Sequence, residues 1–498
     1  MTDQSFSIAI IGAGFSGALL AVQLLRRCRP GDRVYLIERR AGFGRGLAYS
    51  TNNLNHLLNV RAGNMSAFQD QPGHFVDWLR QHGPDAADRQ ADADSFVSRR
   101  VYGSYVRSLL CEELWDGGKG RNLYLVPDQA VALNEDARGI SLTVAGGTCY
   151  RLDMVVLAAG NLPPDETRGA YIGDPWHPAA TAELPREASV LLIGSGLTMV
   201  DTVQSLLDAG HRGMIHVFSR RGLVPHAHAP ARALELSAAD LPRTTSIVRL
   251  MRWLRTHARA AETTGRDWRC VVDGLRPHIQ DLWRRLPLEE RRRFLRHLRP
   301  WWEVHRHRTA PAVAARLQAA IDRGQVRIGA GRVVSMTPDE VSVTVQVRRR
   351  RSCAVETFEV ARVINCSGPE TNFAACREPL IRDLMARRFV RPDPLGLGLE
   401  VSEQGALLNA VGQPSRRLFA VGPVTRGTFW EIVAVPDIRL QCARLAGHLV
   451  STLEGMPRAF EPGRQAAPEV AAASAGRPVP QRVPQRLPIL ARPQTRGA

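Results

Sequence analysis

Lysine is almost missing from the 498 residues: Lys119 is the only one, so nearly all the positive charge behind a net +18 is arginine. Between Arg243 and Arg332 stand 21 arginines against 8 acids. A nucleic-acid binder more often mixes both bases, interleaves aromatics, or carries a helix-turn-helix or zinc pattern. None of these patterns occurs, so no nucleic-acid partner is expected. The arginines read as a solvated helical face with a minor part in steering anions. Paired cysteines are missing too. Cys28, Cys111, Cys149, Cys270, Cys353, Cys366, Cys376 and Cys442 form no Cys-x-x-Cys, which excludes a zinc ribbon or a local redox dithiol and leaves free thiols. No apolar run approaches the ~20 residues that cross a bilayer. Met1 to Ser7 lacks the basic lead and cleavage site of a signal peptide, so the expected location is cytoplasmic, with no membrane partner. The length predicts roughly three domains.

What is present begins at Phe6. Phe6 to Ile11 is a short apolar run ending in glycine, a buried parallel strand by pattern. Ser16 to Arg27 carries helical spacing, and Arg33 to Glu38 is a second strand. Between strand and helix stands Gly12-Ala13-Gly14-Phe15-Ser16-Gly17. Gly12 permits the tight turn, Gly14 lets backbone approach a pyrophosphate, and Gly17 lets helix and strand pack closely. The pyrophosphate then lies at the positive end of the helix. Glu38, at the tip of the second strand, can accept hydrogen bonds from a ribose diol and would repel a 2′-phosphate. The site therefore suits an unphosphorylated adenosine such as that of FAD.

The unit recurs. Ser189 to Ile193 reads as a strand, Leu197 to Ala209 as a helix and Met214 to Phe218 as a strand, with Gly194-Ser195-Gly196-Leu197-Thr198-Met199 at the turn. Here the second strand ends not in an acid but in Ser219-Arg220-Arg221. Arginine there can pair with an adenosine 2′-phosphate, which points to NADPH, with NADH the alternative. Met199 replaces the third small residue of the fingerprint, which bears on how the second helix packs. Met154 to Ala159 reads as a strand closing the first half.

Late in the chain, Asn365 to Pro369 and Ala420 to Pro423 are strand-to-glycine junctions, and Pro436 marks a helix start that could aim its dipole at a flavin. Leu241 to Arg323 looks helical, with Trp253, Trp268, Trp283, Trp301 and Trp302 as packing anchors. His305 and His307, two apart, do not share a helix face, so a solvated basic turn is expected there and no metal.

These motifs, with Gly44 to Tyr49, His56 to Ala62, Tyr102 to Tyr105, Gly194 to Asp201, Ser219 to Gly222 and above all Gly422 to Ile432 running into Val435 to Arg439, resemble the bacterial YdhS-like FAD/NAD(P)-binding proteins. Those are distant relatives of flavin-containing and N-hydroxylating monooxygenases. The resemblance spans about residues 6–450. It implies an α/β chain of two Rossmann-like dinucleotide-binding domains: an FAD domain (1–185 and 356–458) with an inserted NAD(P)H domain (186–355) that carries a helical insertion (about 240–323). A disordered Pro/Arg-rich tail (459–498) would follow. By position it implies that Gly12, Gly14, Gly17, Glu38, Asn59, Gly422 and Pro436 hold FAD. Gly194, Gly196, Arg220 and Arg221 would hold NADPH.

The expected activity is FAD-dependent NAD(P)H oxidation of the monooxygenase type, on a small-molecule nucleophile such as an amine. The alternatives are a reductase passing electrons to a partner without oxygen insertion, and a non-catalytic NAD(P)-responsive binding protein. The cofactor carries the hard chemistry, so no catalytic side chain is nominated. Trp430 and Glu431 could touch substrate or flavin, although an aromatic beside an acid is more often structural. Substrate and oligomeric state are left open by the sequence.

Overall fold

The computed structural model describes residues 5–40, 42–115, 122–162, 167, 169–339 and 341–455. The expected Pro/Arg-rich tail lies outside them.

The chain opens with β1 (Ser7–Ile11), α1 (Phe15–Leu25) and β2 (Arg33–Ile37). Ile8, Ala9 and Ile10 have no exposed surface, as a strand covered on both faces requires. α1 is buried along its whole length because sheet and helices enclose it. Helices α2 (His74–His82), α3 (Ala86–Arg89) and α4 (Arg99–Trp115) precede β3 (Leu123–Val126). A small antiparallel sheet comes next, made of β4 (Ala130–Glu135), β5 (Ile140–Val144) and β6 (Cys149–Leu152), and then β7 (Met154–Leu157).

The second half begins with β8 (Tyr171–Ile172), β9 (Val190–Ile193), α5 (Leu197–Asp208) and β10 (Ile215–Ser219). Helices α6 (Ile247–Thr263), α7 (Arg269–Gly274), α8 (Ile279–Arg285), α9 (Leu288–His297), α10 (Arg299–Arg306) and α11 (Pro311–Asp322) form the arginine-rich stretch. Then come β11 (Val326–Pro338), β12 (Val343–Arg349), β13 (Val355–Val360), β14 (Arg362–Asn365) and α12 (Pro379–Ala386). The described chain ends with β15 (Ala406–Leu408), β16 (Pro414–Ala420) and α13 (Val435–Glu454).

Two larger sheets result, ordered β15-β16-β7-β1-β2-β3 and β13-β12-β11-β10-β9-β14-β8. In the first, β16 pairs parallel with β7 although more than 250 residues separate them. The α/β architecture of two doubly wound sheets is thus present. The second sheet draws strands from both sides of residues 186–355: β13 and β14 pair into it at and beyond residue 355, and β8 joins it before residue 186. β14 is apolar enough to be a central strand of either sheet, so pattern alone could not place it.

Trp283 is a core anchor, 3% exposed beside Phe294 and Trp430. Trp301 is not, at 42% exposed. Among the described residues no disulfide joins the cysteines. Among the described residues no helix is long and apolar enough to cross a membrane.

Candidate functional site: two glycine cradles

In the first cradle, Gly12 has φ +103, and a Cβ there would stand 2.4 Å from the Ala158 carbonyl oxygen at the end of β7. A Cβ on Gly17 would stand 1.9 Å from the Gly12 carbonyl oxygen, so α1 lies against the turn as closely as backbone allows. The Gly12 amide donates to Ile37 O at 2.9 Å. Glu38, at the tip of β2, receives the Ala13 amide at 3.0 Å and the Arg40 amide at 3.1 Å. Its carboxylate thus borders the turn where a dinucleotide ribose would lie. Across the mouth runs Gly44-Arg45-Gly46, whose Gly44 amide donates to Ala13 O at 2.8 Å. A Cβ on Gly46 would meet Gly14 Cα at 2.8 Å, which gives the Gly44 to Tyr49 motif a steric reason for its glycine.

The second cradle repeats the geometry. Gly194 has φ +105, and its Cβ would stand 2.4 Å from the Cys366 carbonyl oxygen at the end of β14. The two late strand-to-glycine junctions are therefore divided, one to each cradle. A Cβ on Gly196 would meet nothing within 4 Å, so open space lies beside the start of α5. Ser195 Oγ lies 2.7 Å from Ser219 Oγ and 2.5 Å from the Leu223 carbonyl, tying this turn to the tip of β10. Met199 is fully buried with Val190, Leu192, Val217 and Cys366, so the second core absorbs the residue that breaks the fingerprint.

Of the arginine pair after β10, Arg220 faces a basin lined by Arg332 and Arg348 to Arg351. Arg221 turns the other way, donating to the His297 carbonyl at 3.1 Å and lying over the Trp301 ring. The sequence treated them as one unit; the structure separates them.

Gly422 closes the first cradle. At φ +79, its Cβ would stand 2.3 Å from Ser16 Oγ, and its amide donates to Gln441 Oε1 at 2.8 Å. Pro436 occupies the first turn of α13, which packs along α1. Asp437 in that turn accepts from Arg276 at 3.1 Å, and Arg439 donates to the Ser66 carbonyl at 3.0 Å. The Asn59 carbonyl oxygen lies 3.0 Å from His228 Nε2.

Burial pushes the His228 pKa down to about 4, and the nearby Arg308 adds to this against the Asn59 carbonyl. The folded chain thus binds a proton at His228 less readily than the unfolded chain, whose histidine titrates near ~6.5. Stability is full above that value and falls as pH drops toward about 4. Between pH 7 and pH 4, His228→Gln is therefore expected to lose less stability than the unsubstituted chain, as read by denaturant midpoints. Equal losses would show that the Asn59 loop is not held by a neutral imidazole.

The sequence did not show what joins the two halves. His56 Nε2 lies 2.8 Å from Ser205 Oγ and 3.1 Å from the Asp201 carbonyl, both on α5. Arg99, opening α4, sits 2.8 Å from the buried Asp201 carboxylate. Burial raises the Asp201 pKa more than Arg99 and His56 lower it. Trp430 and Glu431 also find structural partners: Trp430 stacks on Trp283 at 4.7 Å, and Glu431 accepts from Trp302 Nε1 at 2.8 Å. His307 is no solvated turn residue, since its Nε2 lies 3.4 Å from Glu431.

Residues 9–162, which contain the first cradle, match a family model described as FAD-NAD(P)-binding. No curated protein matches the chain. Among solved structures, the chain resembles an ornithine hydroxylase from Pseudomonas aeruginosa. That match has 14% identity and a TM-score of 0.61, covering 90% of this chain and 100% of that one. An L-lysine 6-monooxygenase from Pseudomonas syringae gives the same four figures. A thioredoxin reductase from T. acidophilum matches at 11% identity and TM-score 0.50, over 91% of this chain and 100% of that one. At such identities the likeness concerns the fold.

Proposed function

We propose that the chain is an FAD-dependent NAD(P)H oxidoreductase of the monooxygenase type, acting on a small-molecule nucleophile such as an amine. The observation that carries this reading is the pair of glycine cradles with opposite tips, Glu38 on one and Arg220 on the other. Gly12, Gly14 and Gly17 would hold the FAD pyrophosphate, Glu38 the ribose, and Asn59, Gly422 and the Pro436 helix start the flavin end. Gly194 and Gly196 would hold the nicotinamide dinucleotide, with the second sheet inserted into the FAD unit. The fit rests on backbone: a side chain on Gly12 or Gly17 would collide with the turn, and Gly196 opens onto free space.

When bound, FAD supplies hydride acceptance and oxygen activation. The chain's own residues bind, orient and exclude water. The start of α13, with Pro436 in its first turn, would offer its positive end to negative charge on a flavin. Arg276 donates to Asp437 and so ties the helical region to that helix start. The amine hydroxylases and monooxygenases among the structural neighbours support oxygen insertion over a dithiol route. The spread of the cysteines argues the same way, since no Cys-x-x-Cys exists in the chain.

Purified protein, reconstituted with FAD, should bleach on anaerobic addition of NADPH, and less readily with NADH. On admission of air with a suitable amine, oxygen should be consumed without matching peroxide release. Bleaching with stoichiometric peroxide for every amine offered would favour the reductase reading. Material that takes up no FAD would defeat both.

A further inference from the structure

The basin beside Arg220 is more heavily charged than the sequence suggested. It has a volume of about 470 Å³ and is lined by Arg220, Arg332, Arg348, Arg349, Arg350 and Arg351. It lies at the carboxyl end of β10, where the parallel pairing with β11, which runs from Ile215 opposite Val326 to Ser219 opposite Ala330, gives out and β11 continues to Pro338. In open α/β sheets that edge is where ligands bind. β12 folds back antiparallel on β11 and sets Arg332 directly opposite Arg348. Two like charges directly opposite across a strand pair are destabilising.

Among the described residues, a carboxylate partner is found for one of the six. Arg349 makes two hydrogen bonds to Glu356, at 2.7 and 2.8 Å, and lies over the Phe218 ring. Among the described residues, the exposed side chains of Arg220, Arg332, Arg348, Arg350 and Arg351 have no carboxylate partner. Elsewhere this chain pairs its arginines readily, as at Arg391 with Glu400 and Arg316 with Asp208. The backbone around the basin is also tightly fixed. Gly222 has φ +65 and its Cβ would meet Ala330 N at 3.1 Å, while the Arg350 amide donates to Ala330 O at 2.9 Å. The loop after β10 and the ribbon of β11 and β12 are therefore held as one wall.

We propose that the β11–β12 ribbon, through Arg332 and Arg348, joins Arg220 in recognising the phosphomonoester on the adenosine ribose of NADPH, and so sets the preference for NADPH over NADH. The inference rests on the nicotinamide reading of the second cradle. A phosphomonoester carries about −1.5 to −2 charges at neutral pH. Two or three guanidiniums neutralise it, and a further one can stack on the adenine plane. Arg221, which sequence pattern paired with Arg220, takes no part because it is directed at His297.

The test uses the full chain with Arg332→Ala and Arg348→Ala combined, and Arg255→Ala as an exposed arginine outside the basin. Calorimetric titration with adenosine 2′,5′-bisphosphate and with 5′-AMP should show the double variant losing about tenfold or more for the bisphosphate and little for 5′-AMP. The ratio of NADPH to NADH efficiency in flavin bleaching should fall by a similar factor, and the bisphosphate affinity should weaken steeply with salt. Equal losses for both nucleotides, or an equal loss in Arg255→Ala, would overturn the assignment. So would inorganic phosphate bound as tightly as the bisphosphate. The titration needs no flavin, so a chain that fails to take up FAD still reports on the basin. NADPH bleaching undiminished in the double variant would remove the basin and leave the oxidoreductase reading standing.

Discussion

Gly17→Val should give a chain that purifies without flavin and takes up none on reconstitution. The glycine's own φ is not the reason, since Gly17 lies within α1 in ordinary helical backbone. A Cβ there would stand 1.9 Å from the Gly12 carbonyl oxygen and 3.2 Å from Ala158 Cβ, and neither backbone nor core can yield. Overpacking of this kind typically costs about 1–3 kcal/mol, occasionally more. The loss at the cradle should be greater than the loss of stability. Relief requires α1 to move away from β1, and the amides at its start then no longer converge on a pyrophosphate. A hundredfold weakening corresponds to about 2.7 kcal/mol, and we expect at least that for FAD. Gly196→Ala provides the contrast. Its φ is −84 and a Cβ would meet nothing within 4 Å, so the fold and flavin should be kept. Any effect there should fall on NADPH alone. Visible absorbance and denaturant midpoints of the two variants would settle it; a yellow, normally stable Gly17→Val chain would remove the first cradle as the FAD site.

That contrast also shows what the sequence could and could not carry. Both fingerprints were legible because the steric demand is local: glycine, turn and helix lie within six residues, and strands buried on both faces appear as unbroken apolar runs such as Ile8 to Ile11. The partners of those glycines were not legible. Ala158 and Cys366 lie about 150 residues or more from the turns they press against, and nothing in either local pattern assigns β14 to one sheet rather than the other. The same holds for His56 and Arg99 against α5, where motifs quoted separately meet in one polar seam. The divergence of Arg220 and Arg221 was hidden in another way: adjacent side chains in an extended turn point apart, so one borders the arginine-lined basin and the other contacts His297. The ribbon arginines were hidden by composition, because in an arginine-rich chain a run of four attracts no notice.

Glu431 carries the other large expected effect. It is 2% exposed and has φ +70, a left-handed conformation that non-glycine residues rarely hold. Its carboxylate lies 3.5 Å from Arg306 Nε and 3.4 Å from His307 Nε2, and Trp302 donates to it at 2.8 Å. Through these contacts the α10 stretch grips the segment that leads into α13, so one side chain fastens the helical region to that segment. Removing one partner of a buried pair leaves the other charge uncompensated, at a cost of about 3–5 kcal/mol. Glu431→Ala should lose that much, and Glu431→Gln, which keeps the shape and an acceptor for Trp302, somewhat less. Burial alone would raise the carboxyl pKa, but His307, Arg306 and Trp302 together hold it well below the usual carboxylate range. A depressed acid contributes stability that is fully present above its unfolded pKa of about 4.3 and is lost as pH falls further. The gap in denaturant midpoint between the unsubstituted chain and Glu431→Gln should therefore stay constant from pH 7 to about pH 5 and narrow below about pH 4. A gap that is small at pH 7, or that widens in acid, would mean Arg306 and His307 do not depend on this carboxylate. The left-handed turn at Glu431 would then need another cause.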